Sequence, residues 1–348
     1  MTEEIRRIAT LDVDTLANYL AVAAPALAGN VRVRPVAGGQ SNPTFFLDCP
    51  DASYVLRKQP PGQLLPSAHA VDREYRVMDA LRATDIPVPK MIHYCADRSV
   101  LGTPFFIMEA VEGRVFHDMS LPGLTPAERA IAYDSVADTL ADLHSVDVAS
   151  IGLADYGRGN DYYGRQLRRW AGQYANERTR DLPGMEELIG WLSRNQPADD
   201  QAATICHGDY RVGNLILGLA RPTVRAVIDW ELSTLGNPMA DLAHCLMFWR
   251  IGTDDYGGLA DQPLAELGIP SEERFVERYF RRRGVPNSLT NFHRSFALFR
   301  FALIAEGIAV RARKGNANSA NADALGDRAA RFTRAALDLA TGSALLPS

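Results

Sequence analysis

No stretch of this chain reaches the ~18 consecutive apolar residues that a membrane-spanning helix needs. The segment from Met1 to Leu11 carries Glu3 and Glu4 where a secretory leader would have an apolar core. The chain therefore reads as soluble and cytoplasmic, with no membrane partner expected. Cysteine is scarce. Cys49, Cys95, Cys206 and Cys245 stand far apart without a C-x-x-C pair, which argues against a disulfide scaffold and against a structural zinc site. There is no H-E-x-x-H and no G-x-x-x-x-G-K-[ST]. Neither sign of charge dominates: 37 basic and 42 acidic residues are spread along the chain for a net charge of -5, so there is no basic field to gather nucleic acid or anionic lipid.

What is present is enough apolar sequence for two lobes. The chain has 348 residues with 47% hydrophobic content, more than single cores usually accommodate. Thr10 to Leu27 has helical spacing, and a polar, glycine-containing stretch, Ala37-Gly38-Gly39-Gln40-Ser41-Asn42, follows Pro35. Thr44–Cys49 and Ser53–Arg57 are rich in aromatic and β-branched residues around the turn Pro50-Asp51-Ala52, predicting a β-hairpin. Ser67 is placed to cap a helix through Val71, Tyr75, Met78 and Leu81, ended by Pro87 and Pro89. Further strands are expected at Met91–Tyr94 and Pro104–Glu109. After Gly113 helical periodicity takes over, in Thr125–Val146, Tyr162–Tyr174, Met185–Arg194, Asn237–Trp249, Glu272–Arg282, Leu289–Arg313 and Ala324–Leu339. A short β-rich island from Thr204 to Trp230 interrupts it. The expected fold class is α+β, a small β-rich lobe over residues 1–111 and a larger, mainly helical lobe over residues 112–348.

The chemistry is concentrated in His207-Gly208-Asp209-Tyr210-Arg211-Val212-Gly213-Asn214. Phosphoryl transfer needs a carboxylate near the nucleophilic hydroxyl, oxygen ligands for a hard divalent cation and cations to offset phosphate charge. H-x-D-x-x-x-x-N supplies the first two, Asp209 as proton acceptor and Asn214 as metal ligand. Fifteen residues later the apolar run Val224–Ile228 delivers Asp229, a second candidate metal ligand. A hydrolase metal site built on His207, Asp209 and Asp229 is the alternative for the same residues. The other histidines, His69, His93, His117, His144, His244 and His293, show no ligand spacing.

His207–Asn214 with Asp229-Trp230-Glu231 resembles the catalytic and metal motifs of the aminoglycoside phosphotransferase-like family, whose fold is similar to that of protein kinases. Ser233–Ala243 and Arg165–Tyr174 resemble the branch of that family found fused ahead of acyl-CoA dehydrogenase domains. Similarity runs from about Val31 to Trp249. The resemblance implies a two-lobed kinase fold using ATP and Mg2+ and transferring phosphate to a small-molecule hydroxyl. The branch favours a hydroxyacyl-CoA-type metabolite; an aminoglycoside acceptor and a nucleotide-binding pseudokinase are the alternatives. It implies that Gly39, Gln40, Ser41 and Asn42 cover the phosphates. Met108, Glu109, Ala110 and Val111 would meet adenine, and Arg57 would steady the phosphates with Glu74 as its ion-pair partner. Period-two alternation puts Val55 and Arg57 on one face and Lys58 on the other, leaving open which cation faces ATP. For Glu74 a solvated carboxylate beside Arg73 and Arg76 is the alternative. Asp241 is expected to hold the catalytic loop by hydrogen bonds near a helix start. The Tyr162–Tyr174 segment reads either as acceptor lining or as a core stripe. Arg281, Arg282, Arg283 and the cations at 311, 313 and 314 fall late in predicted helices, where they suit the helix dipole.

Overall fold

Alternation between buried and half-buried side chains in Thr44–Asp48 (β2) and the apolar centre of Ser53–Lys58 (β3) make the expected hairpin, the centre of a five-stranded antiparallel sheet. A computed structural model describes residues 11–27, 31–36, 42–50, 52–62, 69–198, 202–313 and 322–342. With Arg32–Pro35 (β1), Met91–Cys95 (β4) and Phe105–Glu109 (β5), the sheet order is β1-β2-β3-β5-β4. Period two then sorts the side chains. Phe45, Leu47, Leu56, Phe105 and Ile107 face the helix Val13–Ala23 (α1) through its buried Leu16 and Leu20. Val55, Phe106 and Met108 face the helix Val71–Leu81 (α2) through Val77, Met78 and Leu81. Burying each such aromatic contributes roughly 1.5–3 kcal/mol. The register Val55↔Met108 and Arg57↔Phe106 puts Arg57 on the α2 face.

Helix α2 begins at Val71, with Ala70 at its N-cap and no side-chain cap bond; Ser67 lies outside the described residues. Strand β1 was not expected from the sequence. It has four residues, two of them arginines, and is mostly exposed, so it carries no apolar alternation and exists because β2 supplies its hydrogen bonds. The short helix Arg98–Leu101 (α3) escaped for the same want of periodicity.

The second lobe is helical as expected: Pro126–Leu143 (α4), Tyr162–Glu177 (α5), Met185–Arg194 (α6), Pro238–Leu246 (α7), Leu264–Leu267 (α8), Glu272–Arg283 (α9), Asn291–Arg313 (α10) and Ala322–Thr341 (α11). Helix α4 starts in a capping box between Thr125 and Glu128 with Pro126 in its first turn. Every residue of α7 is buried, the mark of a helix enclosed by the core. In α5, Tyr162, Tyr163, Leu167 and Tyr174 are buried, so the core-stripe reading holds for these. Arg282 and Arg283 do more than suit a dipole: Arg282 forms a bidentate pair with Asp142, and Arg283 donates to the His144 carbonyl. Among the described residues no helix is long and apolar enough to cross a membrane, and the four cysteines are free thiols.

Two small two-stranded antiparallel sheets form the β-rich island, which runs past Trp230 to Gly236. Thr204–Cys206 (β6) pairs with Thr234–Gly236 (β9), and Leu215–Leu217 (β7) pairs with Val224–Val227 (β8). The chain enters the second lobe through Gly113-Arg114, where Arg114 exchanges two backbone hydrogen bonds with Leu217. A Cβ at Gly113 would come 2.5 Å from the Leu217 carbonyl oxygen, so this close approach requires glycine.

Candidate active site

The loop leaving β6 is gripped from below by α7. Asp241, in the first turn of that helix, accepts the His207 N–H on Oδ2 and the Gly208 N–H on Oδ1, the latter at 2.8 Å. This is the loop-holding role expected for it. Gly208 has φ +86°, and a Cβ there would meet the Leu232 carbonyl oxygen at 2.6 Å, so both conformation and space exclude a side chain. The result is a fixed platform for Asp209. Its Oδ2 accepts from Asn214 Nδ2 at 2.8 Å, its Oδ1 lies 2.8 Å from His244 Nε2, and Arg211 Nε lies 3.4 Å from Oδ2. Burial pushes the Asp209 carboxyl upward, but the His244 hydrogen bond and charge, helped by Arg211 and His207, more than offset it and hold the group well below the usual carboxylate range.

Pairing of β7 with β8 carries Asp229 to the same place. The Ile228 N–H donates to the Asn214 carbonyl at 3.0 Å, and His207 Nε2 lies 2.9 Å from the Ile228 carbonyl. The next residue, Asp229, has φ 67°, a left-handed conformation that Asp tolerates better than most residues. It leaves the strand in a sharp turn at the cleft.

From the sheet lobe, Arg57 reaches across. Its guanidinium lies 3.1 Å from Glu74 Oε2, 2.5 Å from Asp229 Oδ1 and 3.6 Å from Glu231 Oε2. Lys58 instead donates to the Leu101 carbonyl on the opposite face at 2.8 Å. Glu74 is 1% exposed and accepts from Asn42 Nδ2 at 2.8 Å, so the solvated alternative does not hold. Burial raises the Glu74 carboxyl from its ordinary 4.5 to about 7; Arg57 opposes the rise, while Asp229 and Glu231 add to it. A carboxyl whose pKa is higher folded than unfolded takes up a proton on folding. Its contribution is whole below its unfolded pKa and is lost as pH rises toward and through about 7. The expected outcome is a melting temperature that falls between about pH 5 and 8 in the nucleotide-free protein, with a flatter slope in Glu74→Gln. Thermal melts of both proteins across that window check it.

Of the expected adenine-side residues, Met108 is buried, Glu109 is the last residue of β5, and Ala110 and Val111 follow it. The N–H of Glu109 is taken by the Lys90 carbonyl and that of Ala110 by the Ser53 carbonyl. Gly39, Gln40 and Ser41 lie outside the described residues; Asn42 is buried on Glu74 and His69. Two members of the site were not foreseen. His244, grouped with the scattered histidines, touches Asp209, and Glu231 joins the Arg57 cluster. The cue for His244 was its place three residues after Asp241, which puts both on one face of a helix.

The donor set fits a hard cation. Asn214 spends its NH2 on the backbone oxygen and Oδ2 of Asp209, so its remaining polar atom is the carbonyl Oδ1. Asp229 uses Oδ1 on Arg57, leaving Oδ2. These are oxygens of the kind Mg2+ prefers, beside phosphate. His144, Cys206 and Asp241 also lie close enough together to ligate an ion. Their bonds to Tyr279, the Asn237 carbonyl and the loop amides give them structural work.

The Gallus gallus protein named acyl-CoA dehydrogenase family member 11 is 43% identical over 327 residues, covering 91% of this chain and 42% of that protein. The chain thus spans about two-fifths of the length of that relative. A crystal structure from Ralstonia eutropha, described as a candidate aminoglycoside phosphotransferase, superposes with a TM-score of 0.87 at 42% identity, covering 96% of this chain and 99% of the other. Aminoglycoside phosphotransferase APH(4)-Ia, in a ternary complex with AMP-PNP and hygromycin B, shares the fold with a TM-score of 0.61 at 15% identity over 92% of this chain and 98% of that one. Residues 32–287, which carry the sheet, the catalytic loop and helix α7, match the phosphotransferase enzyme family, and the chain belongs to that family.

Proposed function

We propose that this chain transfers the γ-phosphoryl group of ATP to a hydroxyl of a small molecule, a hydroxyacyl-CoA-type metabolite, and that Asn214 and Asp229 are the residues that would hold Mg2+. One observation carries the reading: Asp209 and Asn214 are hydrogen-bonded to each other on one loop, and the Ile228 amide on the Asn214 carbonyl sets Asp229 beside them. In this reading residues 1–111 bind the nucleotide and residues 112–348 carry the catalytic loop and the acceptor. A cation held by these two residues would supply neutralisation of phosphate charge. Arg57, held by buried Glu74, steadies the phosphates; Gly39, Gln40, Ser41 and the backbone of Asn42 are the proposed cover, the Asn42 side chain being spent on Glu74 and His69. Met108 lines the adenine pocket. Glu109 and Ala110 offer carbonyls, and Val111 its N–H.

Asp209 orients the acceptor hydroxyl and takes its proton. Its depressed basicity suits this chemistry. A loose, metaphosphate-like transition state forms little bond to the incoming oxygen, so the proton leaves late and a well-placed weak base suffices.

Two features support the acceptor class. The 43%-identical relative is named as a member of an acyl-CoA dehydrogenase family. Arg211 sets a half-buried guanidinium beside Asp209, which favours an anionic acceptor over a polycation. The aminoglycoside reading is supported by the description of the 42%-identical Ralstonia protein. ADP release from Mg-ATP, measured against a panel of hydroxyacyl-CoAs and a panel of aminoglycosides, separates them. Signal is expected only with the acyl-CoA panel. Signal only with aminoglycosides establishes the second reading, and silence in both with nucleotide still tightly bound makes the chain a nucleotide-binding pseudokinase.

A further inference from the structure

Two short contacts from different parts of the chain orient Asp209, with Arg211 Nε a longer one at 3.4 Å on Oδ2. Asn214 holds Oδ2 from within the loop, while His244 Nε2 meets Oδ1 at 2.8 Å from helix α7. An ionised carboxylate only accepts hydrogen bonds, so Nε2 carries the hydrogen. The imidazole is 3% exposed as a residue and lies edge-on to Phe248 and Phe301. It is a single polar contact set in an aromatic wall. Its position on α7 matters as much as its chemistry. His244 stands three residues beyond Asp241, on the same helix face. One turn of one helix therefore grips both the loop backbone, through Asp241, and the carboxylate that the loop presents, through His244.

We propose that His244 is a positioning residue for phosphoryl transfer, fixing the Asp209 carboxylate in the rotamer that keeps Oδ2 on Asn214. The proposal rests on the reading of Asp209 as the proton acceptor. In the step it serves, the acceptor oxygen bonds to the γ-phosphorus as the bond from phosphorus to the ADP oxygen breaks. The hydroxyl proton passes to Asp209, and ADP leaves with the electron pair. Without an N–H at position 244, Oδ1 loses the donor that holds it, and the carboxylate, 29% exposed, can turn toward water. Rotation removes Oδ2 from Asn214 as well, because one torsion moves both oxygens. Misplacing the base by about 1 Å is enough to lower the rate ~100-fold.

The test compares His244→Leu, which removes the donor and keeps apolar bulk, with His244→Gln, whose amide nitrogen can reach where Nε2 does. Two readouts are taken. Crystal structures, which need no acceptor, are expected to show Asp209 turned away from Asn214 in His244→Leu and held on it in His244→Gln. In the ADP-release assay, His244→Leu is expected to lose ~10- to 100-fold in kcat with the Kd for ATP unchanged, and His244→Gln to recover most of the loss. Should His244→Leu fail to fold, His244→Asn, polar but too short to reach Oδ1, carries the same expectations. An unmoved Asp209 in the donorless variant, or wild-type kcat there, overturns the proposal. Asp209→Asn run alongside separates the two ideas. Turnover surviving in it removes the underlying base assignment, whereas turnover lost in it but intact in His244→Leu removes His244 alone.

Discussion

Asp209→Asn is expected to lower kcat by about 10^2- to 10^4-fold, the range spanned by removal of a positioned general base, while leaving the Kd for ATP unchanged. The amide is nearly isosteric, so the loop held by Asp241 should keep its path. The change is in hydrogen-bond polarity. Both Asp209 oxygens now accept, one from Asn214 and one from His244. An amide turns one of those positions into donor against donor, and it can take no proton. Because the carboxyl is already held well below its usual range, its leverage as a base is modest and much of the loss should come from misorientation of the hydroxyl. Steady-state kcat together with calorimetric ATP binding checks this. Turnover within tenfold of wild type means that another group takes the proton.

Asp241→Ala is expected to be the most destabilising single change at the site, by about 3–5 kcal/mol. Asp241 is 1% exposed and satisfies the amides of His207 and Gly208, with His144 Nε2 a further 3.5 Å contact. Truncation strands two buried N–H groups, each worth about 1–3 kcal/mol when left unpaired, and frees the backbone that carries Asp209. Chemical denaturation measures the loss, and kcat should fall with it. The contrast is Arg282→Ala. Its bidentate pair with Asp142 is geometrically good, but it is 54% and 36% exposed, so the loss there should stay under about 1 kcal/mol. If the two variants lose equal stability, the loop is not held the way its hydrogen bonds indicate.

What could be read from sequence was whatever depends on residues close along the chain. Asp209 and Asn214 share one loop, so their offset is visible without a structure. Period two in Tyr54–Lys58 correctly divided Arg57 from Lys58, since a strand leaves no third option. Glu74 fell among the residues of the buried stripe of α2, which is why it meets Arg57 rather than water. What escaped depends on pairs distant in sequence. His244 lies 35 residues from Asp209 and Asn42 lies 32 from Glu74; apart from the shared helix face of Asp241 and His244, no local pattern announces either meeting. Strands β1 and β9 are short and draw their existence from partner strands, not from alternation of their own. The Tyr162–Tyr174 segment was ambiguous for a different reason. The same aromatics that fill a core can line a site, and only the burial of Tyr162, Tyr163 and Tyr174 decides between them.

The central claim is that this cleft moves phosphate from ATP onto a hydroxyl, and phosphorus NMR of Mg-ATP incubated with enzyme and a hydroxyacyl-CoA tests it most directly. The account predicts a new phosphomonoester resonance that grows as ADP appears and is lost when Asp209→Asn replaces the wild type. ADP accompanied only by inorganic phosphate, at a rate indifferent to the acceptor and to Asp209, would contradict it.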